Sequence, residues 1–143
     1  MHVENLHSPS VQCGGIYYFP RMIDKIRLHA TGQLPPDYQA NLGGGFDARL
    51  LSFLWIEYAP LVERVKEGGT DGEILDWTFK RGRKPSDEEI EIWNEFMRKR
   101  GWNDESSDRL AQRKRESGIS ERDDIQTFFA YIDFDEGRDP RKS

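Results

Sequence analysis

One cysteine, Cys13, is all that the chain holds in 143 residues, so no internal disulfide can form. A fold without such bridges fits a reducing compartment, and a cytoplasmic protein is expected. Histidine is almost as scarce. His2, His7 and Cys13 match no zinc-ligand spacing, so neither a metal nor another cofactor is expected. No apolar run approaches the roughly 20 residues that cross a bilayer. The opening "MHVENLHSPS" is polar and has no apolar centre of the secretion-signal kind, so a membrane is not an expected partner. Positive charge is not in excess either, since 21 Lys and Arg face 26 Asp and Glu for a net charge of −5. That balance argues against a dedicated nucleic-acid binder. Strand signal is thin: "GGIYYF" is the best candidate, and it is too short to build a sheet alone.

Aromatic residues are plentiful. Four Trp, eight Phe and five Tyr recur along the whole length, which suits one domain with a real core rather than a disordered chain. Helix signals punctuate that length. Thr70 and Glu73 stand three apart, as do Ser86 and Glu89; both pairs read as capping boxes. Pro60 opens a helix that Gly68 closes, and Asp47 sits near the start of another. A weakly anchored helix follows in "SSDRLAQRKRESG", and Ser120 is expected to cap a last helix, "ERDDIQTFFAYIDF". The expected fold is all-α, an irregular bundle of about seven short helices in a single domain over residues 1–143, with loose ends at 1–12 and 138–143. Core candidates are Phe19, Ile23, Ile26, Leu51, Leu54, Leu61, Val65, Ile74, Trp77, Ile90, Trp93, Phe128 and Phe129.

The segment "YYFPRMIDKIRLHATG" (17–32) combines both kinds of residue. Pro20 suits a first helical position and Gly32 a stop. Successive helical residues advance about 100°. Phe19, Met22, Ile23, Ile26 and Ala30 then share one side, Arg27 and His29 flank it, and Arg21, Asp24, Lys25 and Leu28 lie behind. A leucine among those charges suggests that something covers the back face. Its charges must then be paired; Asp24 is placed to meet Arg21 or to accept from a nearby loop. The loop 33–45 that follows is rich in proline and glycine and long for a compact domain, a feature that often carries function.

These residues carry a resemblance. "GGIYYFPRMIDKIRLHATG", "YQANLGGGFDARLLSFL" and "EGGTDGEILDW" resemble the bacterial domain-of-unknown-function family DUF5069 over residues 13–101. Gly14 and Gly15, the run Pro20 to Lys25, Tyr38, the pair Phe53–Leu54 and the turn from Thr70 to Trp77 carry it. The resemblance implies a small bacterial helical domain and no particular activity.

Other motifs fail on chemistry. "NLGGGFD" lacks the Lys-Ser/Thr end of a nucleotide loop, and Asp47 would repel an anion at that helix start. "DFDEGRDP" has Arg138 where a calcium loop needs glycine. The basic blocks "KRGRK", "RKR" at 98–100 and "RKR" at 113–115 read as partners of helix C-termini. No Ser-His-Asp or paired-carboxylate constellation emerges. The leading expectation is therefore a non-catalytic binding or interaction module with a protein partner or a second copy of itself. The alternative is an enzyme or small-molecule sensor that holds an anionic ligand between helix 20–31 and loop 33–45. Its candidate ligand-binding residues are Arg21, Asp24, Lys25, Arg27, His29, Tyr38 and Asn41.

Overall fold

In a computed structural model that describes residues 1–141, the aromatic and aliphatic stripes converge on the first long helix. A short antiparallel hairpin precedes it: β1 (Gln12–Cys13) pairs with β2 (Ile16–Tyr17), and Gly14 and Gly15 both take positive φ to make the turn. Tyr18 then adopts a left-handed conformation, and α1 (Phe19–Ala30) starts with Pro20 in its first turn. The order continues α2 (Pro36–Gln39), α3 (Phe46–Leu54), α4 (Tyr58–Lys66), α5 (Asp71–Arg81), α6 (Asp87–Lys99), α7 (Ser107–Glu116) and α8 (Phe128–Asp135).

Phe19, Met22, Ile23 and Ile26 of α1 pack into one cluster with Ile16, Leu50, Leu54, Leu61, Ile74 and Met97. Burying each such side chain contributes about 1.5–3 kcal/mol. α1 therefore ties the hairpin, α3, α4, α5 and α6 together. The capping boxes Thr70–Glu73 and Ser86–Glu89 both form, which sets the starts of α5 and α6. Trp77, Ile90 and Phe128 are only half-buried, with Trp77 and Ile90 lying against this core rather than inside it.

The back face of α1 is covered as well. Leu28 joins Val3, Leu6 and Leu34 in a second cluster, flanked by Tyr38 and Leu42. The segment 1–12, expected to be loose, thus contributes Val3 and Leu6 to this cluster and, through His7, bonds to Asp24. At the other end, Arg138 donates to the Leu6 carbonyl at 3.0 Å, and buried Asp139 pairs with Arg122. The expected looseness therefore does not extend to 138–139; Lys142 and Ser143 lie outside the described residues.

The expected all-α fold holds: eight helices occur among the described residues, one of them a single turn, Pro36–Gln39, in the loop after α1. Two local expectations change. The last helix starts at Phe128, capped by Thr127 rather than Ser120. Lys114 Nζ draws the carbonyls of Arg122 and Ile125 toward α7, so they are not free to begin a helix. Arg21 and Asp24 do not pair with each other, since each has a better partner outside α1.

Candidate functional site

The covered back face of α1 forms the floor of a cleft of about 790 Å³. Tyr18, Arg21 and Lys25 rise from below; Tyr38 and Asn41 come from the loop after α1, and Glu136 from the end of α8. Two polar networks make this floor. In the first, Tyr18 donates to Asp47 Oδ1 at 2.7 Å, and Lys25 Nζ stands 2.9 Å from the same oxygen and 3.2 Å from the Tyr18 hydroxyl. The Gly43 amide donates to Asp47 Oδ2 at 3.1 Å. Asp47 therefore caps the glycine loop and neutralises Lys25 at once.

In the second, Arg21 grips Glu136 with both terminal nitrogens, at 2.8 and 2.5 Å. Tyr38 donates to Glu136 Oε2 at 2.8 Å, and Arg138 to Oε1 at 2.9 Å. A carboxylate with only 2% of its side chain exposed thus receives donors from α1, the loop and its own chain end. Among the described residues no buried side-chain nitrogen or oxygen lacks a partner.

The environment shifts several of these groups. Burial raises the Tyr18 phenol well above its ordinary value, and the Asp47 charge adds to this. Burial lowers Lys25, and Asp47 opposes that shift without cancelling it. Burial alone would raise Glu136, but the Arg21 fork outweighs it, helped by Tyr38 and Arg138, and the carboxyl ends below its ordinary value.

Around the mouth lie four arginines. Arg49 comes from α3, Arg100 from the residue after α6, and Arg109 and Arg113 from one face of α7. Arg100 has Asp104 at 3.5 Å. Arg49, Arg109 and Arg113 are exposed and have no carboxylate within ion-pair distance among the described residues. Phe46, Phe128 and Ile132 add half-buried apolar surface to the lining.

Of the seven expected site residues, Arg21, Lys25, Tyr38 and Asn41 line this cleft. Asp24 instead accepts from the His7 amide at 2.9 Å and lies 2.6 Å from its ring. Arg27 turns to Asp71 at 2.7 Å and to the Gly69 carbonyl. His29 is exposed near the C-terminal end of α1. Glu136 and the rim arginines escaped the sequence reading. The block 113–115 looked like a helix end, yet Arg109 and Arg113 are one turn apart on a helix whose buried residue is Leu110 alone. That spacing was the available signal. Among the described residues no cluster of three His, Cys, Asp or Glu could hold a metal. No described helix is long and apolar enough to cross a membrane.

Fold and site together define a small helical domain with a charged cleft behind its first helix. The chain belongs to the family described as Domain of unknown function (DUF5069), whose model matches residues 3–138 and so takes in α7, α8 and Glu136 as well as the N-terminal motifs. A comparison with curated proteins finds no match.

Proposed function

We propose that this domain is a small-molecule binding module whose cleft takes an anionic ligand. The observation that supports this best is the set of arginines without carboxylate partners, Arg49, Arg109 and Arg113, around the mouth of a concave site. Guanidinium forks match carboxylate and phosphate oxygens in pairs. The volume suits a metabolite-sized molecule. Arg21 and Lys25 belong to the scaffold in this reading: their charges are already spent on Glu136 and Asp47, and they shape the floor without contacting the ligand directly.

The test is thermal stability of the full chain against a panel of organic acids and phosphates. A ligand that binds only the folded state raises the melting temperature as its concentration passes its dissociation constant. The expected result is a shift with one or more anions, removed by Arg109→Ala with Arg113→Ala. A flat response to the whole panel would reject the proposal.

A second reading is self-association, favoured by exposed apolar side chains. Trp55 is 68% exposed, Ile92 63% and Phe96 39%. Phe53 stacks on Trp93 at 4.9 Å, and Arg83 lies over the rings of both Phe53 and Trp55. Phe53, Ile92, Trp93 and Phe96 line one groove over α3 and α6 beside Arg49, whose guanidinium lies over the Phe96 ring, and Trp55 adjoins it through Arg83. A mass that rises with concentration in sedimentation, and becomes monomeric in Ile92→Asp, supports a dimer through this surface; a concentration-independent monomer opposes it.

A further inference from the structure

The cleft's lining offers more than the means to bind an anion. Its unpaired positive charge comes from Arg49 of α3 and from Arg109 and Arg113 of α7. Asp37 of α2 and Asp135 at the end of α8 add carboxylates, and the Met1 ammonium bonds to the Asp135 carbonyl. Part of the lining is aromatic. Phe46 meets Tyr18, Phe128 and Phe129 edge-on, with centroids 5.7, 6.2 and 5.9 Å apart. Phe46 and Phe128 remain half-buried, and the surface that they leave uncovered borders the cavity.

Taking the anion-binding reading as its basis, we infer that the cleft is built for an aromatic phosphate monoester, with the phosphate on Arg49, Arg109 and Arg113 and the ring against Phe46 and Phe128. A lone carboxylate carries one charge and is satisfied by one guanidinium fork. Three arginines free of carboxylate partners exceed that need. A phosphate monoester carries about −1.5 to −2 charges and three terminal oxygens, which fits them. Phe46 and Phe128 leave apolar surface on the same cavity, so the rest of the ligand is best met as a neutral body. A flat ring is the neutral body that aromatic walls hold best, through stacked or edge-on contacts. Water against Phe46 and Phe128 gains little, and displacing it favours an apolar body over a bare ion.

Calorimetric titration of the full chain with phenyl phosphate, inorganic phosphate and succinate tests this. Phenyl phosphate is expected to bind roughly tenfold tighter than inorganic phosphate, the gain that one stacked ring supplies. Arg109→Ala with Arg113→Ala is expected to weaken both phosphates by tenfold or more. These residues are exposed, and circular dichroism should show the variant folded. Phe128→Leu keeps an apolar side chain of similar reach. It is expected to abolish the advantage of phenyl phosphate while leaving inorganic phosphate unchanged. Equal affinity for the two phosphates overturns the ring assignment, and succinate binding more tightly than phenyl phosphate overturns the phosphate assignment. Either result leaves the anion-binding reading intact, whereas failure of every anion to bind removes both.

Discussion

Glu136 is the residue on which the floor of the cleft turns. It is buried, yet it is charged because Arg21, Tyr38 and Arg138 all donate to it. Removing it leaves the Arg21 guanidinium buried without a counter-charge. Glu136→Ala should therefore destabilise the fold by about 3–5 kcal/mol in urea unfolding. Replacing both partners, Arg21→Met with Glu136→Leu, should cost clearly less, because no charge is then stranded. A double variant at least as damaged as Glu136→Ala would deny the pair this role. The pH dependence follows from the direction of the shift. The folded-state value of Glu136 lies below its unfolded one, so its contribution is complete above about pH 4.3. It is lost as the pH falls through the lower, folded-state value. The melting temperature of Glu136→Gln should fall less steeply with acid than that of the parent; parallel slopes would contradict this assignment.

At the scale of elements, two junctions hold α3 and α8 against the site. α5 ends at Gly82, where an added Cβ would stand 2.0 Å from the Leu54 carbonyl oxygen and 2.8 Å from that of Trp55. This backbone contact lets Arg83 reach the end of α3, its amide donating to Leu54 O and its Nε to Phe53 O. Gly82→Ala should cost about 1–3 kcal/mol as overpacking, and an unchanged unfolding midpoint would show that the junction yields freely. α8 begins where Thr127 accepts from the Ala130 amide. Thr127→Ala should therefore cost about 1 kcal/mol, and Ser120→Ala close to nothing. The reverse ranking in chemical unfolding would restore the earlier start that the sequence suggests. The difference is physical. "SERDD" offers a serine cap and acidic residues in the first turn, both local signs of a helix start. What prevents one there is Lys114, which takes two carbonyls from a distance, and Arg122, which turns to Asp124 and Asp139. Such a choice rests on partners far apart in the chain and has no local signature. The capping boxes of α5 and α6 were legible because cap and partner are three residues apart.

Over the whole molecule, the two chain ends close the back of α1. Val3 and Leu6 cover Leu28 and Leu34, and Arg138 bonds to the Leu6 carbonyl. Removing residues 1–6 should lower stability by about 3 kcal/mol, the burial of two apolar side chains; an unaltered unfolding curve would mean that the segment only rests on the surface. Leu28 was the one hint of this arrangement, an apolar residue among charges. The hint was correct, but the sequence could not name the cover. The cleft itself was half legible. Arg21, Lys25, Tyr38 and Asn41 follow from their nearness in sequence, whereas Arg49, Arg109, Arg113 and Glu136 arrive from elements that only folding brings together. The central claim is that these rim arginines hold an anion. It is tested most directly by following the arginine Nε–H resonances of the full chain during titration with inorganic phosphate. Saturable shifts concentrated at Arg49, Arg109 and Arg113, with Arg64, Arg81 and Arg98 unmoved, are predicted. Equal small drifts at all six, or none at the rim, would contradict it.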